Sequence, residues 1–174
     1  MKVFLNILVT LVVIGLAIWL FLIIRKPIVE KQVNQIKKNE IIKRLELVRA
    51  AQFAFKEANG RFCGDWDSLI SFCKSGNMRI VKTIGDPNDS TIVVRRDTFY
   101  IPVKDTLFPA NYYLDSLKFI PFTKGGIFEL KAGVINQRGV PVHVFQVTDT
   151  KPFDPEHVLI LGSMTEVNYS GNWK

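Results

Sequence analysis

The feature that most constrains this chain is an uncharged apolar run near its start, residues 3–24, which reads VFLNILVTLVVIGLAIWLFLII. At about 1.5 Å per residue, such a run forms a helix of roughly 33 Å, which matches the ~30 Å hydrocarbon layer of a bilayer. A cleaved secretory signal has a shorter apolar region of about 7–15 residues and a cleavage site of small residues, and the run shows neither property. We therefore interpret residues 1–24 as an uncleaved transmembrane anchor.

The charges around this run do not settle which side of the membrane carries the rest of the chain. More basic residues follow the run than precede it, and the positive-inside rule then favours a cytoplasmic C-terminal part. A very short N-terminal tail, however, is typical of a signal anchor whose amino end stays inside. Arg25 and Lys26 follow the run directly, so we expect them to contact lipid headgroups.

The two cysteines, Cys63 and Cys73, flank a short segment that predicts a helix. They could form a small disulfide in an oxidising compartment, or they could pack as two buried thiols. The spacing leaves both alternatives open, because it does not show whether the Cα atoms come within reach. Two cysteines alone are too few ligands for a structural zinc site.

Six of the nine aspartates are followed directly by Ser or Thr. In four of these pairs the next residue is Leu or Thr, and the hydroxyl residues are Ser68, Ser90, Thr106 and Ser116. The pattern resembles the Asp-Ser/Thr-apolar acceptor of the general O-glycosylation system of Bacteroidota, which implies export and O-glycosylation at these four positions. Because Asp-Ser and Asp-Thr also favour turns and helix caps, a purely structural role is the alternative. We favour a periplasmic C-terminal part, with a cytoplasmic one as the alternative.

Residues 25–60 predict a long amphipathic stalk helix, since apolar residues recur at steps of three and four with one step of five. Pro27 can open or kink this helix, and Asn59-Gly60 can end it. The segment carries nine basic and four acidic residues, whereas residues 61–174 carry 13 and 12. The C-terminal part is therefore nearly neutral, which gives little support to nucleic-acid binding. The recurring apolar residues are Val29, Val33, Ile36, Ile41, Leu45, Val48, Ala51, Phe55 and Ala58.

Beyond Gly60 the pattern predicts a short helix over residues 66–73, capped by Asp65 and ended at Ser75-Gly76-Asn77, followed by strands. Turn chemistry at 96–98, 123–126 and 136–139 separates several of these strands, and the three between 117 and 147 form an antiparallel meander. The strands are predicted at 91–95, 99–103, 117–121, 127–134 and 140–147, with a further candidate at 157–161.

A meander with one apolar face must cover that face, and the distal stalk around Leu45, Val48 and Phe55 is the available surface. The predicted fold class is α+β, with an N-terminal transmembrane helix that continues into a long amphipathic helix packed on an antiparallel β-sheet. The predicted division is an anchor at 1–24, a stalk at 25–60 and a head at 61–174.

The segments LVRAAQFAFK at 47–56, NGRF at 59–62 and WDSL at 66–69 resemble type IV pilin-like proteins and pseudopilins. Most of the chain is also similar to a group of single-pass Bacteroidota envelope proteins with no established activity, through residues 48–56, 120–130, 162–166 and 171–173. The resemblance implies a pilin-like shape. Pilins that polymerise carry a Gly-ended leader and an early Glu, whereas the first Glu here is Glu30. We therefore expect a fixed component of an envelope machine instead of a fibre subunit.

Few residues are suited to catalysis, because His143 and His157 are the only histidines. His143 alternates with valines in a predicted strand, and His157 lies beside Asp154 and Glu156 in a loop. The chain shows no nucleophile signature, phosphate-binding loop or metal motif. We predict that it is not an enzyme and that it has no catalytic site, metal, cofactor or small-molecule substrate.

The leading hypothesis is a non-enzymatic, single-pass inner-membrane protein whose periplasmic pilin-like head is a structural or assembly component of an envelope complex. Its partners would be membrane lipid and other proteins, with no nucleic acid. Val33, Ile36 and Ile41 are the predicted partner contacts, because no part of the head is expected to cover them. The alternative is a membrane-tethered periplasmic ligand-binding or sensory module that uses a sheet face or the loops at 104–116 and 149–157.

Overall fold

A computed structural model of the chain describes residues 2–84 and 95–173. The chain divides into two compact units, the first ending at Glu40 and the second beginning at Ile41. The elements in chain order are α1 (Lys2–Asn59), α2 (Trp66–Ser75), β1 (Asn77–Ile84), β2 (Arg95–Pro102), α3 (Val103–Leu107), a 3₁₀ helix (Leu114–Lys118), β3 (Glu129–Gln137), β4 (Val140–Thr148) and β5 (Ile160–Gly162).

In the first unit, α1 is continuous through Pro27, which neither opens nor ends it. The side chains described along this stretch are mostly exposed, including Trp19 and Phe21 at 63% and 61%. Within the described residues, no helix combines the length and the hydropathy needed to cross a membrane. The transmembrane anchor therefore stays a prediction.

The second unit confirms the α+β prediction, since the distal part of the long helix packs on small antiparallel sheets. Leu45, Val48 and Ala51 recur at helical spacing and are fully buried. They share one core with residues from α2, β4 and β5, so the predicted cover for the sheet is confirmed. Gly60 (φ +74°) ends α1, and its N–H donates to the Lys56 carbonyl over 2.7 Å.

The larger sheet has three antiparallel strands in the order β3-β4-β5. β3 and β4 confirm the strands predicted at 127–134 and 140–147, with small shifts of their ends. Their turn consists of Arg138 and Gly139, both at positive φ, which matches the right-handed twist of a two-residue hairpin. The candidate strand at 157–161 is confirmed in part as β5.

The strand predicted at 117–121 is wrong, because Leu117 and Lys118 belong to the 3₁₀ helix and residues 120–121 lie in no strand. The reason is a tertiary contact from α1. Arg44 donates from Nη1 to the carbonyls of Ser116 and Phe119, at 3.1 and 2.8 Å. Of the predicted strand only Phe119 makes a β-bridge, to Ile127.

The turn predicted at 96–98 is also wrong, because β2 runs through these residues without interruption. They pair with residues of β1, a strand that the sequence pattern did not indicate. Of the strand predicted at 91–95, residues 91–94 lie outside the described residues. The helix predicted at 66–73 is confirmed as α2, whose N-cap Asp65 accepts from the Ser68 N–H at 2.8 Å.

Candidate interaction site

A buried glutamine fixes the chain that follows α1. Gln52 is fully buried, and its Nε2 donates to the Cys63 carbonyl over 2.7 Å while its Oε1 accepts from the Cys63 N–H over 2.9 Å. Both polar groups of its amide therefore satisfy the backbone N–H and carbonyl of one residue in the turn beyond the helix. This double hydrogen bond places Phe62 beside α1.

Four aromatic rings meet at this point. The ring centroids of Phe62 and Phe145 are 4.7 Å apart, and Tyr169 from the C-terminal segment lies 5.3 Å from Phe62. Phe53 packs edge-on against both Phe62 and Tyr169 and is 41% exposed. The Lys56 ammonium lies 4.7 Å from the centre of the Phe62 ring, which gives a cation–π contact. An aromatic cluster thus reaches the surface through Phe53.

Two shallow grooves lie on either side of Phe53. The first has a volume of about 760 Å³ and the second about 540 Å³. Ala50 and Phe53 line both of them. The first groove is completed by Glu46, Arg49, Val167, Asn168, Tyr169 and Ser170, and the second by Ala54, Lys56, Glu57, Met78 and Leu107.

The polar groups that line the grooves include both signs of charge. Glu46 and Arg49 form an ion pair at 2.6 Å along the helix. Within the described ranges, no group of three His, Cys, Asp or Glu residues could hold a metal ion. His157 and Asp154 form an exposed pair with 2.8 Å between Nδ1 and Oδ2. The grooves are thus lined by apolar residues together with charged ones.

The structure has both cysteines as free, buried thiols, which is the second of the two alternatives that their spacing left open. Cys63 donates from Sγ to the Asp65 carbonyl over 3.1 Å. Burial raises the pKa of Cys63 and raises that of Cys73 to about 12. Both groups are therefore protonated at neutral pH and poor nucleophiles.

Three of the four acceptor-like hydroxyl residues lie on short helices. Ser68 on α2 and Thr106 on α3 are exposed, and Ser116 on the 3₁₀ helix is half-buried. α2 contacts both α3 and the 3₁₀ helix, so the three positions belong to one region of the head. Ser90 lies outside the described residues. The side chains of Arg25 and Lys26 also lie outside them.

The predicted partner contacts on the stalk have different surroundings. Val33 and Ile36 are 42% and 62% exposed, as a partner contact requires. Ile41 is 1% exposed and belongs to the head core, so its assignment as a partner contact is wrong. The five-residue step between Ile36 and Ile41 marks the point where covered positions begin.

Three contacts were missed at the sequence level. Gln52 lies one helical turn after the buried Val48, and a polar residue on an apolar face is the signal that could have revealed it. Arg44 and Asn172 had no such signal. Asn172 binds the backbone of β5 and the preceding residues, accepting from Ile160 N–H at 3.1 Å and donating to the Val158 carbonyl at 2.7 Å.

Comparisons with protein-family models, curated proteins and solved structures give no match to this chain.

Proposed function

We propose that this chain is a non-enzymatic, membrane-anchored, pilin-like envelope protein that acts as a structural or assembly component of a multiprotein complex. The head would lie in the periplasm, with the cytoplasm as the alternative location. The observation that carries the proposal is that the apolar spacing of α1 continues beyond the covered core onto the exposed Val33 and Ile36. A helix face of this kind is suited to packing against another helix.

The anchor is supported by the residues of the apolar run. Helices that are apolar on all sides belong in a large protein core or in a lipid bilayer. From residue 11 to residue 21 the large apolar side chains described on α1 are each at least 51% exposed, and they are Leu11, Val12, Val13, Ile14, Leu16, Ile18, Trp19, Leu20 and Phe21. Lipid would remove this surface from water.

The partner interface is tested by site-specific photocrosslinking in the native cell. A photoreactive residue at position 36 should give an adduct of defined mass with a protein partner. The same photoreactive residue in place of Asn34 should give much less adduct. Asn34 is exposed and is rotated around the helix by about 100° from Val33 and about 200° from Ile36. Val33→Ala combined with Ile36→Ala should reduce co-purification of that partner, and equal adducts from positions 34 and 36 would contradict the interface.

The compartment is tested on the same material by mass spectrometry of the head peptides. Glycan mass on the peptides containing Ser68, Thr106 or Ser116 would support a periplasmic head. Unmodified peptides together with cytoplasmic partners alone would overturn this location and leave the cytoplasmic alternative.

A second candidate is a ligand-binding or sensory module, which is favoured by the two grooves beside Phe53. The first groove lies between α1 and the C-terminal segment, outside the predicted loops. The second lies between α1, Met78 and Leu107, and Leu107 belongs to the predicted loop at 104–116. Ala50→Trp would place a large side chain at the shared border of the two grooves and obstruct them, because Ala50 lines both. We expect it to abolish binding of the fluorescent probe anilinonaphthalene sulfonate if the grooves hold ligands, and to leave complex formation intact if assembly is the function.

A further inference from the structure

β1 and β2 form a hairpin that is a sheet of its own, separate from the larger sheet. In the described part of the chain, each of these strands pairs only with the other, in an antiparallel register that joins Met78 to Ile101 and Ile80 to Phe99. Among the residues that the structure describes, no strand pairs with either outer edge of this two-stranded sheet, so both edges are open there. A two-stranded ribbon is marginally stable alone, and an open edge is a template for another strand.

The base of the hairpin is fixed while its middle is exposed. Met78 packs against the head core, and Val103 donates its N–H to the Gly76 carbonyl at 3.0 Å. Further along the strands, Ile80, Phe99 and Tyr100 are 39%, 49% and 70% exposed. Apolar and aromatic surface is thus available next to both open edges.

The hairpin is also the basic part of the head. Its two strands hold four basic residues and one acidic residue, a net charge of +3, whereas residues 61–174 as a whole carry only +1. The rest of the head is therefore acidic by two charges. Arg79, which is exposed, lies directly opposite Tyr100 in the strand register.

We propose that the β1–β2 hairpin is a docking site for an extended acidic peptide segment of a partner protein, which adds as a third strand along one open edge. Backbone hydrogen bonds along the edge would supply affinity, and side chains of alternating direction would supply specificity. Acidic side chains on the added strand would meet the basic residues of the hairpin, and apolar ones would cover Ile80, Phe99 or Tyr100.

Charge distinguishes this occupant from a second copy of the chain. Pairing two hairpins edge to edge would bring +3 against +3, and like charges across strands are destabilising. The electrostatic interaction between an acidic strand and the basic hairpin is attractive instead of repulsive.

Strand alternation distinguishes the peptide from an anionic bilayer. The register places Arg79 and Tyr100 on one face of the ribbon and Ile80 and Phe99 on the other. A flat membrane would meet only one of these faces, whereas a strand added at the edge runs beside both.

This inference goes beyond the proposed function, and it does not depend on the membrane anchor or on the compartment of the head. The test uses the full chain in detergent micelles and a fluorescent nine-residue peptide in which Glu alternates with Val. We expect saturable binding that Arg79→Glu weakens by about tenfold or more through charge reversal. The matched control is Arg138→Glu at the exposed β3–β4 turn, which should change the affinity less than about twofold, because this charge belongs to the other sheet.

A second probe separates strand addition from simple charge attraction. The same peptide, N-methylated at alternate residues, keeps its charge but cannot donate those backbone hydrogen bonds, so we expect it to bind at least about tenfold more weakly. Circular dichroism of each variant checks that the fold is retained. The proposal is overturned if the unmodified peptide does not bind, if methylation has no effect, or if Arg138→Glu weakens binding as much as Arg79→Glu. It is also overturned if vesicles containing phosphatidylglycerol bind in its place and lose binding with Arg79→Glu.

Discussion

Two stretches of α1 carry the same kind of apolar spacing and have different surroundings. Leu45 and Val48, in the distal stretch, are fully buried in the head core, whereas Val33 and Ile36, in the stretch before Glu40, are 42% and 62% exposed. Periodicity thus predicts that a helix has an apolar face, but the partner of that face depends on the rest of the fold. The exposed stretch is where an external partner would gain most from binding.

The largest expected difference between the two stretches is in core packing. Leu45→Ala should lower the free energy of unfolding of the head by about 2–5 kcal/mol, because it removes buried contacts and leaves a cavity. Ile36→Ala should change it by less than about 0.5 kcal/mol. Urea denaturation of the full chain in detergent measures both values, and similar losses for the two variants would remove the distinction between the stretches.

The same comparison can be made with two polar residues, Gln52 in the buried stretch of α1 and Gln35 in the exposed stretch. Gln52→Ala leaves the buried peptide N–H and carbonyl of Cys63 without partners, which should cost about 2–3 kcal/mol. Gln35 is exposed and hydrogen-bonds only locally, to Asn39 at 3.2 Å among the contacts described, so Gln35→Ala should be nearly neutral. The same denaturation experiment tests this pair, and a neutral Gln52→Ala would show that water replaces the lost contacts.

A third pair of variants compares one basic residue from each stretch of α1, Arg44 and Lys31. Arg44→Ala removes the hydrogen bonds to the Ser116 and Phe119 carbonyls and should lower stability by about 1 kcal/mol, since the guanidinium is only partly buried. Lys31→Ala, in the exposed stretch, should have no measurable effect. Protease cleavage near the 3₁₀ helix should also speed up in Arg44→Ala alone, and unchanged cleavage would contradict its role in holding that segment.

The sequence was most informative where local chemistry decides the structure. Asp65 caps α2, and Arg138-Gly139 allows the positive φ values of a tight hairpin turn, so both features could be predicted from neighbouring residues. The 3₁₀ helix could not be predicted in this way, because Arg44 reaches its carbonyls from 72 residues away in the chain. The segment LKFIP at 117–121 therefore resembled a strand when its sequence was considered alone.

The interaction surfaces show the same limit. β1 was missed because both faces of a two-stranded ribbon can be exposed, so its residues need not follow the alternation of a half-buried strand. The pairing of Phe53 with Tyr169 joins α1 to the C-terminal segment, and no local pattern links them. The exposed Val33 and Ile36 were predictable, whereas the burial of Ile41 required the folded head.

The smallest expected effect concerns a buried carboxyl of the head. Asp149 is 3% exposed, and burial raises the pKa of its carboxyl above the ordinary value. The protonated form is therefore favoured in the folded state, so its contribution to stability is fully present below the unfolded pKa and is lost as pH rises through the folded pKa. Asp149→Asn keeps an acceptor for the Lys151 N–H and should gain stability relative to the wild type by less than about 1–2 kcal/mol as pH rises from 3 to 7.

Other carboxyls contribute to the pH dependence of stability with the opposite sign. Their contributions cancel when the stability of Asp149→Asn is compared with that of the wild type. The backbone N–H of Ser68 lowers the pKa of Asp65, and the Lys74 ammonium lowers the pKa of Asp115. Their contributions are present above the unfolded pKa and are lost as pH falls through the folded pKa. Asp65 and Asp115 are present in both the wild type and Asp149→Asn, so they do not affect the stability difference between the two proteins. A stability difference that does not change with pH would contradict the burial of a charged Asp149.

Amide hydrogen exchange on the purified full chain in detergent micelles, without other proteins, tests most directly whether α1 has one covered and one uncovered stretch. We expect amides at 41–54 to exchange only through unfolding of the head, at a rate that follows the measured free energy of unfolding. Amides at 31–36 should exchange faster, through local opening, because the side chains of these residues are exposed. Equal protection of the two stretches would contradict the assignment of Val33 and Ile36 to a partner interface.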